Sequence, residues 1–186
     1  MPVGPLAVGD EVSIELGNKI VLAAKKELGD AYVPQRSDEL MAQMVELGRL
    51  GRKSAKGWYD YPEGGKKHLW PGLAELFPLA ADQPDVEAVK ERLLYRQLIE
   101  CARCFEEGVL ETPEDGDIGA IFGWGFAPWT GGPFSHMDTV GIAHVVTVLD
   151  RLAAAHGERF APTKQLREMA ASGAAFYRPV PSRAAA

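Results

Sequence analysis

Apolar residues recur at helical spacing near the start of the chain. An apolar side chain returns at every fourth position, and the stripe consists of Val12, Leu16, Ile20, Ala24 and Leu28. This period places the five side chains on one face of a helix. Gly29 follows directly, and glycine readily adopts the left-handed conformation that ends helices. The segment therefore predicts an amphipathic helix that ends at Gly29.

A similar stripe lies near the other end of the chain, before Gly157, and consists of Val140, Val145, Val148, Leu149 and Leu152. A shorter helix is predicted after each stripe, at about 37–47 and about 163–171. Each short helix begins at a hydroxyl residue and is followed by a glycine, a pairing typical of helix N- and C-termini. Both ends of the chain therefore carry a long helix followed by a short one.

Two more helices are predicted between these pairs. Asp85 stands where an N-cap is expected, before apolar residues on adjoining stripes that continue to Gly108. Thr112, Pro113, Glu114 and Asp115 then form a second N-terminal signature, with proline in the first turn and acidic residues behind it. No strand pattern interrupts these segments, so the sequence predicts an all-α fold.

The two ends of the chain are related by an internal repeat of 128 positions. Gly4, Pro5 and Asp10 correspond to Gly132, Pro133 and Asp138, and further matches continue without a gap to Pro34 and Pro162. Ungapped agreement of uncommon residue types indicates a duplicated unit. We interpret Asp10 and Asp138 as N-caps of the helices that follow them. An aromatic pair closes each copy, Trp58-Tyr59 in the first and Phe176-Tyr177 in the second, and we expect each pair to fold back onto its core.

The repeat predicts the domain organisation. Residues 1–61 form a first repeat that is truncated at its N-terminus, 62–84 a linker, 85–178 a complete second repeat and 179–186 a flexible tail. The first copy has no counterpart of the two middle helices, because Met1 falls opposite Trp129. We therefore expect the chain to be part of something longer.

Composition narrows the function. The 186 residues carry a formal net charge of −6, and an acidic chain lacks the excess of cations that nucleic-acid binding requires. No run of about 18 apolar residues predicts a membrane span. The two cysteines lie within one predicted helix and cannot join distant segments. We expect a cytoplasmic protein without a membrane span or a nucleic-acid partner.

Few residues suggest chemistry of their own. Cys101 and Cys104 have no second cysteine pair at zinc-finger spacing, so we interpret them as small buried apolar side chains and predict no metal site. The four histidines, His68, His136, His144 and His156, are scattered and match no catalytic or metal spacing. We therefore expect structural roles for them.

A basic stretch is the stronger candidate for ligand binding. It contains Arg49, Arg52, Lys53, Lys56, Lys66, Lys67 and His68, with Trp58 and Tyr59 among them. Such a stretch fits either a phosphate-bearing ligand or an ordinary solvated turn. Charge clustering alone favours the solvated turn.

The motifs as a set resemble a known family. The runs MPVGPLAVGDEVS, RLGRKSAKGWYDY and FGWGFAPWTGGPFSHMDTVG are similar to the C-terminal helical domains of 3-hydroxyacyl-CoA dehydrogenases. The tandem arrangement resembles the multifunctional enzymes of fatty-acid β-oxidation, in which this domain is duplicated. The resemblance implies two units like the C-terminal domain of 6-phosphogluconate dehydrogenase, the first of them truncated.

The resemblance also implies an activity for the parent enzyme: NAD-linked oxidation of a 3-hydroxyacyl-CoA, with a histidine as general base. In the family this base and the dinucleotide loop belong to a preceding Rossmann domain, so no catalytic and no cofactor-binding residue is assigned here. We expect the chain to be inactive alone and to bind no NAD. The segment expected nearest to substrate is Pro2, Val3, Gly4 and Pro5.

The partners implied are an acyl-CoA through the parent enzyme, the missing Rossmann and hydratase domains, and a thiolase subunit. Two other hypotheses stay open at this point. One is a non-catalytic helical module for dimerisation or interaction, which would self-associate. The other is a thiol or metal protein that uses Cys101 and Cys104.

Overall fold

The computed structural model describes residues 3–177, and helices dominate it, which confirms the all-α prediction. The elements before residue 84 are α1 (Pro5–Val12), α2 (Ile14–Leu28), α3 (Arg36–Glu46), β1 (Tyr59–Asp60), β2 (His68–Leu69) and α4 (Leu73–Leu76). The elements after it are α5 (Val86–Glu106), α6 (Pro113–Trp124), α7 (Pro133–Val140), α8 (Ile142–His156) and α9 (Lys164–Ser172). The two strands pair antiparallel and form a sheet of their own.

The internal repeat is present in three dimensions. The bounds of α1 and α2 reappear in α7 and α8 at the same separation of 128 positions. Proline occupies the first position of both α1 and α7, where its fixed φ suits a helix start and its missing N–H is not needed. The two copies therefore share one helical architecture.

The N-cap prediction for Asp10 and Asp138 is wrong. Each aspartate lies at the sixth position of a helix, in α1 and in α7, because these helices already begin at the preceding proline. The next helix begins four residues later in each copy, after Ser13 or Gly141. Both of these junction residues have φ of 92°, in the left-handed region, and the chain turns there between consecutive helices.

The two middle helices begin as predicted. The Asp85 carboxylate accepts a hydrogen bond from the Ala88 N–H at 2.9 Å, and Thr112 Oγ1 accepts one from the Asp115 N–H at 3.1 Å. Each bond satisfies a backbone donor that has no partner inside the helix. Gly125, with φ of 71°, ends α6 in the left-handed conformation.

The chain divides into two compact units between Gln83 and Pro84. In the unit after Pro84, α5 packs against α7 and α8, and α8 packs against α9. The apolar core formed there includes Leu98, Phe134, Val145 and Leu149, each with an exposed fraction of 0%. Phe176 joins this core through edge contacts with Phe105 and Phe134, with ring centroids 5.8 and 4.8 Å apart, as expected for the aromatic pair.

The unit before Pro84 has a much smaller core. Its buried apolar side chains, within residues 3–83, are Ala7, Ile14 and Met44. The segment predicted as a linker, 62–84, contains β2 and α4, and its Trp70 packs on Arg49. The boundaries drawn from the sequence remain predictions, and the tail from 179 onward lies outside the described residues.

Candidate functional site

The predicted substrate-proximal turn lies at the start of α1. Val3 and Gly4 precede the helix, Pro5 is its first residue, and all three are exposed. Pro2 lies outside the described residues. No polar side chain is available at positions 3–5, so this turn can contact a ligand only through its backbone and its apolar surface.

The corresponding turn of the second repeat is capped by a carboxylate. Asp117, buried on α6, accepts hydrogen bonds from the backbone N–H groups of Phe134 and Ser135 at 2.7 and 3.1 Å, and from Ser135 Oγ at 2.6 Å. A carboxylate at the start of a helix satisfies donors and complements the helix dipole. In the part of the chain that the structure describes, no side chain accepts from the first N–H groups of α1.

An apolar surface on α1 and α2 lies beside this turn. We call it the open face and define it by Leu6, Ile20, Val21 and Ala24, the counterparts of Phe134, Val148, Leu149 and Leu152. Leu6 is 39% exposed where Phe134 is 0%, and Ile20 is 57% exposed where Val148 is 5%.

The difference in exposure has a structural cause. In the unit after Pro84, α5 packs over α7 and α8. In residues 3–83 no helix occupies the equivalent place. Leu6 and Ile20 are therefore exposed and Val21 and Ala24 half-buried, whereas their counterparts in the second unit are buried.

Asp10 and Asp138 hold the aromatic pairs. Asp10 accepts from the N–H groups of Trp58 and Tyr59 at 2.8 and 3.0 Å and from the Tyr61 hydroxyl at 2.9 Å. Asp138 accepts from the N–H groups of the second pair, Phe176 and Tyr177, both at 2.9 Å. We call these two arrangements the aspartate clasps. They connect α1 or α7 to the end of the same repeat.

The clasps were missed in the sequence, although two signals marked them: an aspartate in the same register of both copies, and an aromatic pair closing each copy. Two tyrosines at the ends of the repeats have raised pKa values. Burial, together with the hydrogen bond to Asp10, raises the pKa of Tyr61 to about 12. Burial and the hydroxyl's bond to Asp117 raise the pKa of Tyr177 as well.

The two arginines of the basic stretch are engaged in contacts within the first unit. Arg49 is buried, and its guanidinium donates to the carbonyl oxygen of Gly57 at 2.8 Å and to Asp60 at 2.5 Å while stacking on the Trp70 ring at 4.2 Å. Arg52 pairs with Glu11. Arg49 thus stabilises the first unit from within, whereas Arg52 forms an exposed ion pair.

The cysteines lie in α5 as predicted for apolar side chains: Cys101 is buried and Cys104 half-buried, both as free thiols. Burial raises the pKa of the Cys101 thiol to about 12, which keeps it protonated at neutral pH. Within residues 3–177 no cluster of three metal-ligating side chains forms. Burial also lowers the pKa of His136 on α7.

A cleft of about 440 Å³ lies between α5 and α6, lined mainly by apolar atoms. Its walls include Cys101, Cys104, Gly119, Ala120 and Val109. No pattern in the sequence pointed to this cleft, because it forms where two helices bring small residues together.

No helix in the part of the chain described here is both long and apolar enough to cross a membrane.

The class follows from a family model. Residues 1–61 match the C-terminal domain of 3-hydroxyacyl-CoA dehydrogenase. This match confirms, for residues 1–61, the resemblance drawn from the sequence motifs: these residues are similar to a C-terminal helical domain of the 3-hydroxyacyl-CoA dehydrogenase family.

The particular relatives are alpha subunits of fatty acid oxidation complexes. The chain is 45% identical to the "Fatty acid oxidation complex subunit alpha" of Shewanella loihica over 181 residues, and 43% identical to that of Shewanella amazonensis over 180 residues. Each alignment covers 95% of this chain and 25% of the relative. The chain therefore spans about a quarter of the length of these relatives.

A solved structure shares the fold. The crystal structure of 3-hydroxybutyryl-CoA dehydrogenase from Escherichia coli K12 superposes with a TM-score of 0.60 at 18% sequence identity. The superposition covers 92% of this chain and 52% of that one. At this identity the match supports the fold alone.

Proposed function

We propose that this chain is the C-terminal part of an NAD-dependent 3-hydroxyacyl-CoA dehydrogenase of fatty-acid β-oxidation, within a multifunctional enzyme that also carries a hydratase. The observation that carries the proposal is the 45% identity over almost the whole chain to an alpha subunit of a fatty acid oxidation complex. The family match at residues 1–61 supports the dehydrogenase assignment. A thiolase subunit would be a further partner of the whole enzyme.

The chain itself does not fit NAD. Dinucleotides bind at the carboxyl edge of a parallel sheet, where a glycine-rich turn opens a helix. The sheet within residues 3–177 consists of two antiparallel strands of two residues each. We therefore derive no catalytic step through NAD on these residues, and the hydride chemistry belongs to a preceding domain of the proposed enzyme.

The contribution of this chain is to pack against the preceding part of the enzyme and hold it in place. The open face and the uncapped start of α1 lie side by side, and the second repeat shows what complements such a pair: the long helix α5 and the carboxylate of Asp117 on α6. We expect two helices of the preceding part of the enzyme to fill these places in the first repeat. The turn at Pro2, Val3, Gly4 and Pro5 would then lie beside that part, near the acyl-CoA.

A chimaera tests this role. The C-terminal quarter of the Shewanella loihica relative is replaced by the 186 residues of this chain, and NADH oxidation by acetoacetyl-CoA is followed at the nicotinamide absorbance. We expect turnover from the chimaera, and none from the truncated relative or from this chain alone. A chimaera as inactive as the truncated relative, or turnover by this chain alone, would contradict the proposal.

The open face is tested within the same chimaera by Ile20→Glu. A carboxylate buried against an apolar helix is costly, so activity should fall by at least about tenfold. Leu79→Glu is the matched control, because Leu79 is 86% exposed and lies outside the open face. Equal activities of the two variants would show that the open face is not a packing surface.

A second candidate function rests on the same exposure. A non-catalytic interaction module would use the open face to bind a second copy of the chain. Light scattering of the isolated chain over a range of concentrations separates the two: self-association abolished by Ile20→Glu, combined with an inactive chimaera, favours the module. A monomer at all concentrations excludes it.

A further inference from the structure

We infer that the cleft between α5 and α6 is a binding site for a single small aliphatic molecule, such as a medium-chain alcohol. The cleft is formed entirely by residues of the second repeat. The inference does not depend on the proposed function.

Glycine keeps one wall of the cleft open. A methyl group added at Gly119 would meet no atom within 4 Å, so space lies directly above this part of α6. A methyl group at Gly116, one turn earlier, would instead come within 2.2 Å of the Phe134 ring, so that glycine is required by the core. The opening at Gly119 is therefore room that a ligand can fill.

The polar side chains around the cleft already form ion pairs or hydrogen bonds with neighbouring side chains. Arg96 pairs with Glu100, the Trp124 indole N–H donates to Gln97 at 3.2 Å, and Asp115 accepts from the Thr112 hydroxyl at 2.7 Å. A polar ligand would have to break these pairs to gain partners of its own. An aliphatic chain needs no such partners and gains from leaving water.

The size of the cleft selects among apolar occupants. About 440 Å³ lies in the range of small-molecule sites. One turn of an α-helix, roughly 10 Å wide and 5.4 Å long, already fills a comparable volume, so a protein helix could enter only for about a turn.

The reactivity of a thiol in the cleft can show whether a ligand is bound. Cys101 and Cys104 both line the cleft, but Cys101 is buried and its raised pKa keeps it from forming the reactive thiolate. Reaction with a disulfide reagent such as 5,5′-dithiobis(2-nitrobenzoate) at neutral pH therefore reports on Cys104. An aliphatic ligand in the cleft should slow this reaction.

The experiment is a calorimetric titration of the chain with 1-hexanol, 1-octanol and octanoate, combined with the thiol reaction. We expect saturable binding of one molecule per chain, about three- to fourfold tighter for each methylene added within the cleft. The neutral octanol should bind at least as tightly as octanoate. Absence of saturable binding, or binding of octanoate without octanol, would overturn the inference.

Location is tested by matched glycine variants on α6. Gly119→Leu fills the cleft and should weaken octanol binding by at least about tenfold. Gly123→Leu is the control: an added methyl group there also meets no atom within 4 Å, and Gly123 does not line the cleft. Both substitutions favour helix equally. Similar loss in both variants, or none in Gly119→Leu, would refute the site.

A second variant keeps the test decisive if Gly119→Leu does not fold. Val109 lines the cleft and is 69% exposed, so Val109→Asp leaves the core intact while placing a charge at the cleft. It should also weaken octanol binding by about tenfold or more, because the carboxylate must be desolvated or must hold water in the cleft. Unchanged octanol affinity in this variant would place the ligand elsewhere.

Discussion

Single aspartates stabilise each repeat through the aspartate clasps. Asp10 is 1% exposed and accepts three hydrogen bonds. In Asp10→Asn the amide NH2 group, itself a donor, would replace one of the two accepting oxygens. Hydrogen bonds to a charged group contribute about 1.5–3 kcal/mol each, and we expect a loss of about 2 kcal/mol in the free energy of unfolding.

Urea denaturation followed by circular dichroism measures this loss. Asp30→Asn is the control, because Asp30 is exposed. A midpoint for Asp10→Asn that matches the control would show that the first clasp contributes nothing to stability.

The Tyr61 hydroxyl predicts how stability depends on alkaline pH. Its pKa is raised from 10.0 in the unfolded chain to about 12 in the fold. The neutral phenol is therefore favoured by folding, and its contribution is complete below pH 10 and is lost as the pH rises from about 10 to about 12.

Tyr61→Phe removes this contribution. Urea midpoints at pH 9, 10 and 11 should fall more steeply for the unmodified chain than for the variant. Parallel curves would show that the Tyr61 pKa is not raised by the fold.

At the residue scale, the repeat in the sequence pointed to Asp10 and Asp138, but the N-cap role predicted for them was wrong. Their register in both copies was visible, but the clasp joins Asp10 to residues 48 to 51 positions away. A local capping pattern cannot show such a contact. The close fit at Gly57, where a methyl group would lie 2.0 Å from the Asp10 carboxylate, was equally invisible.

Among the elements, the small hairpin of β1 and β2 depends on one arginine. Arg49 donates to Gly57 and Asp60 and stacks on Trp70. A lysine ammonium lacks the planar guanidinium group that donates to two acceptors and stacks on the ring. Arg49→Lys should therefore lower the free energy of unfolding by about 2 kcal/mol.

The neighbouring Arg52→Lys is the control for this change. Arg52 forms an exposed pair with Glu11, and such pairs contribute about 0–1 kcal/mol. Thermal unfolding monitored by tryptophan fluorescence compares the two variants. Equal melting temperatures would contradict the role given to Arg49.

Helices were predictable because their signals are local. The stripe and caps of α5 and the proline at the start of α6 lie within the segments that they define. The hairpin was not predicted: β1 was assigned to the end of the first repeat and β2 to the linker. Strands of two residues carry no period, and the stability of this hairpin comes from Arg49 and Trp70. The type of element could therefore be predicted where the sequence is periodic. It could not be predicted where tertiary contacts determine the structure.

For the whole molecule, the uneven distribution of the core predicts unequal stability. Residues 84–186 contain the large apolar cluster, whereas buried apolar side chains within residues 3–83 are few. Produced separately, the fragment 84–186 should unfold cooperatively in urea. The fragment 1–83 should bind an apolar dye and show a broad transition.

Urea denaturation followed by circular dichroism, together with dye fluorescence, of the two fragments checks this prediction. The complete chain is the reference for both signals. A sharp cooperative transition in the fragment 1–83, without dye binding, would show that its open face needs no partner.

The repeat itself was the most predictable feature at this scale, since it follows from matched residues in one register. The cleft between α5 and α6 was the least predictable. It depends on a glycine that leaves space and on the packing of a second helix against it. Neither condition has a sequence signature.

The junction at Ser13 has a mechanical consequence. Glycine holds this position in the second repeat, whereas serine accepts the same unfavourable φ of 92° in the first. In return its hydroxyl donates to the Leu50 carbonyl at 3.2 Å, the same oxygen that receives the Ile14 N–H at 2.9 Å. The turn between α1 and α2 is therefore hydrogen-bonded to the segment that follows α3. A displacement of Leu50 would move the first turn of α2 in the same direction.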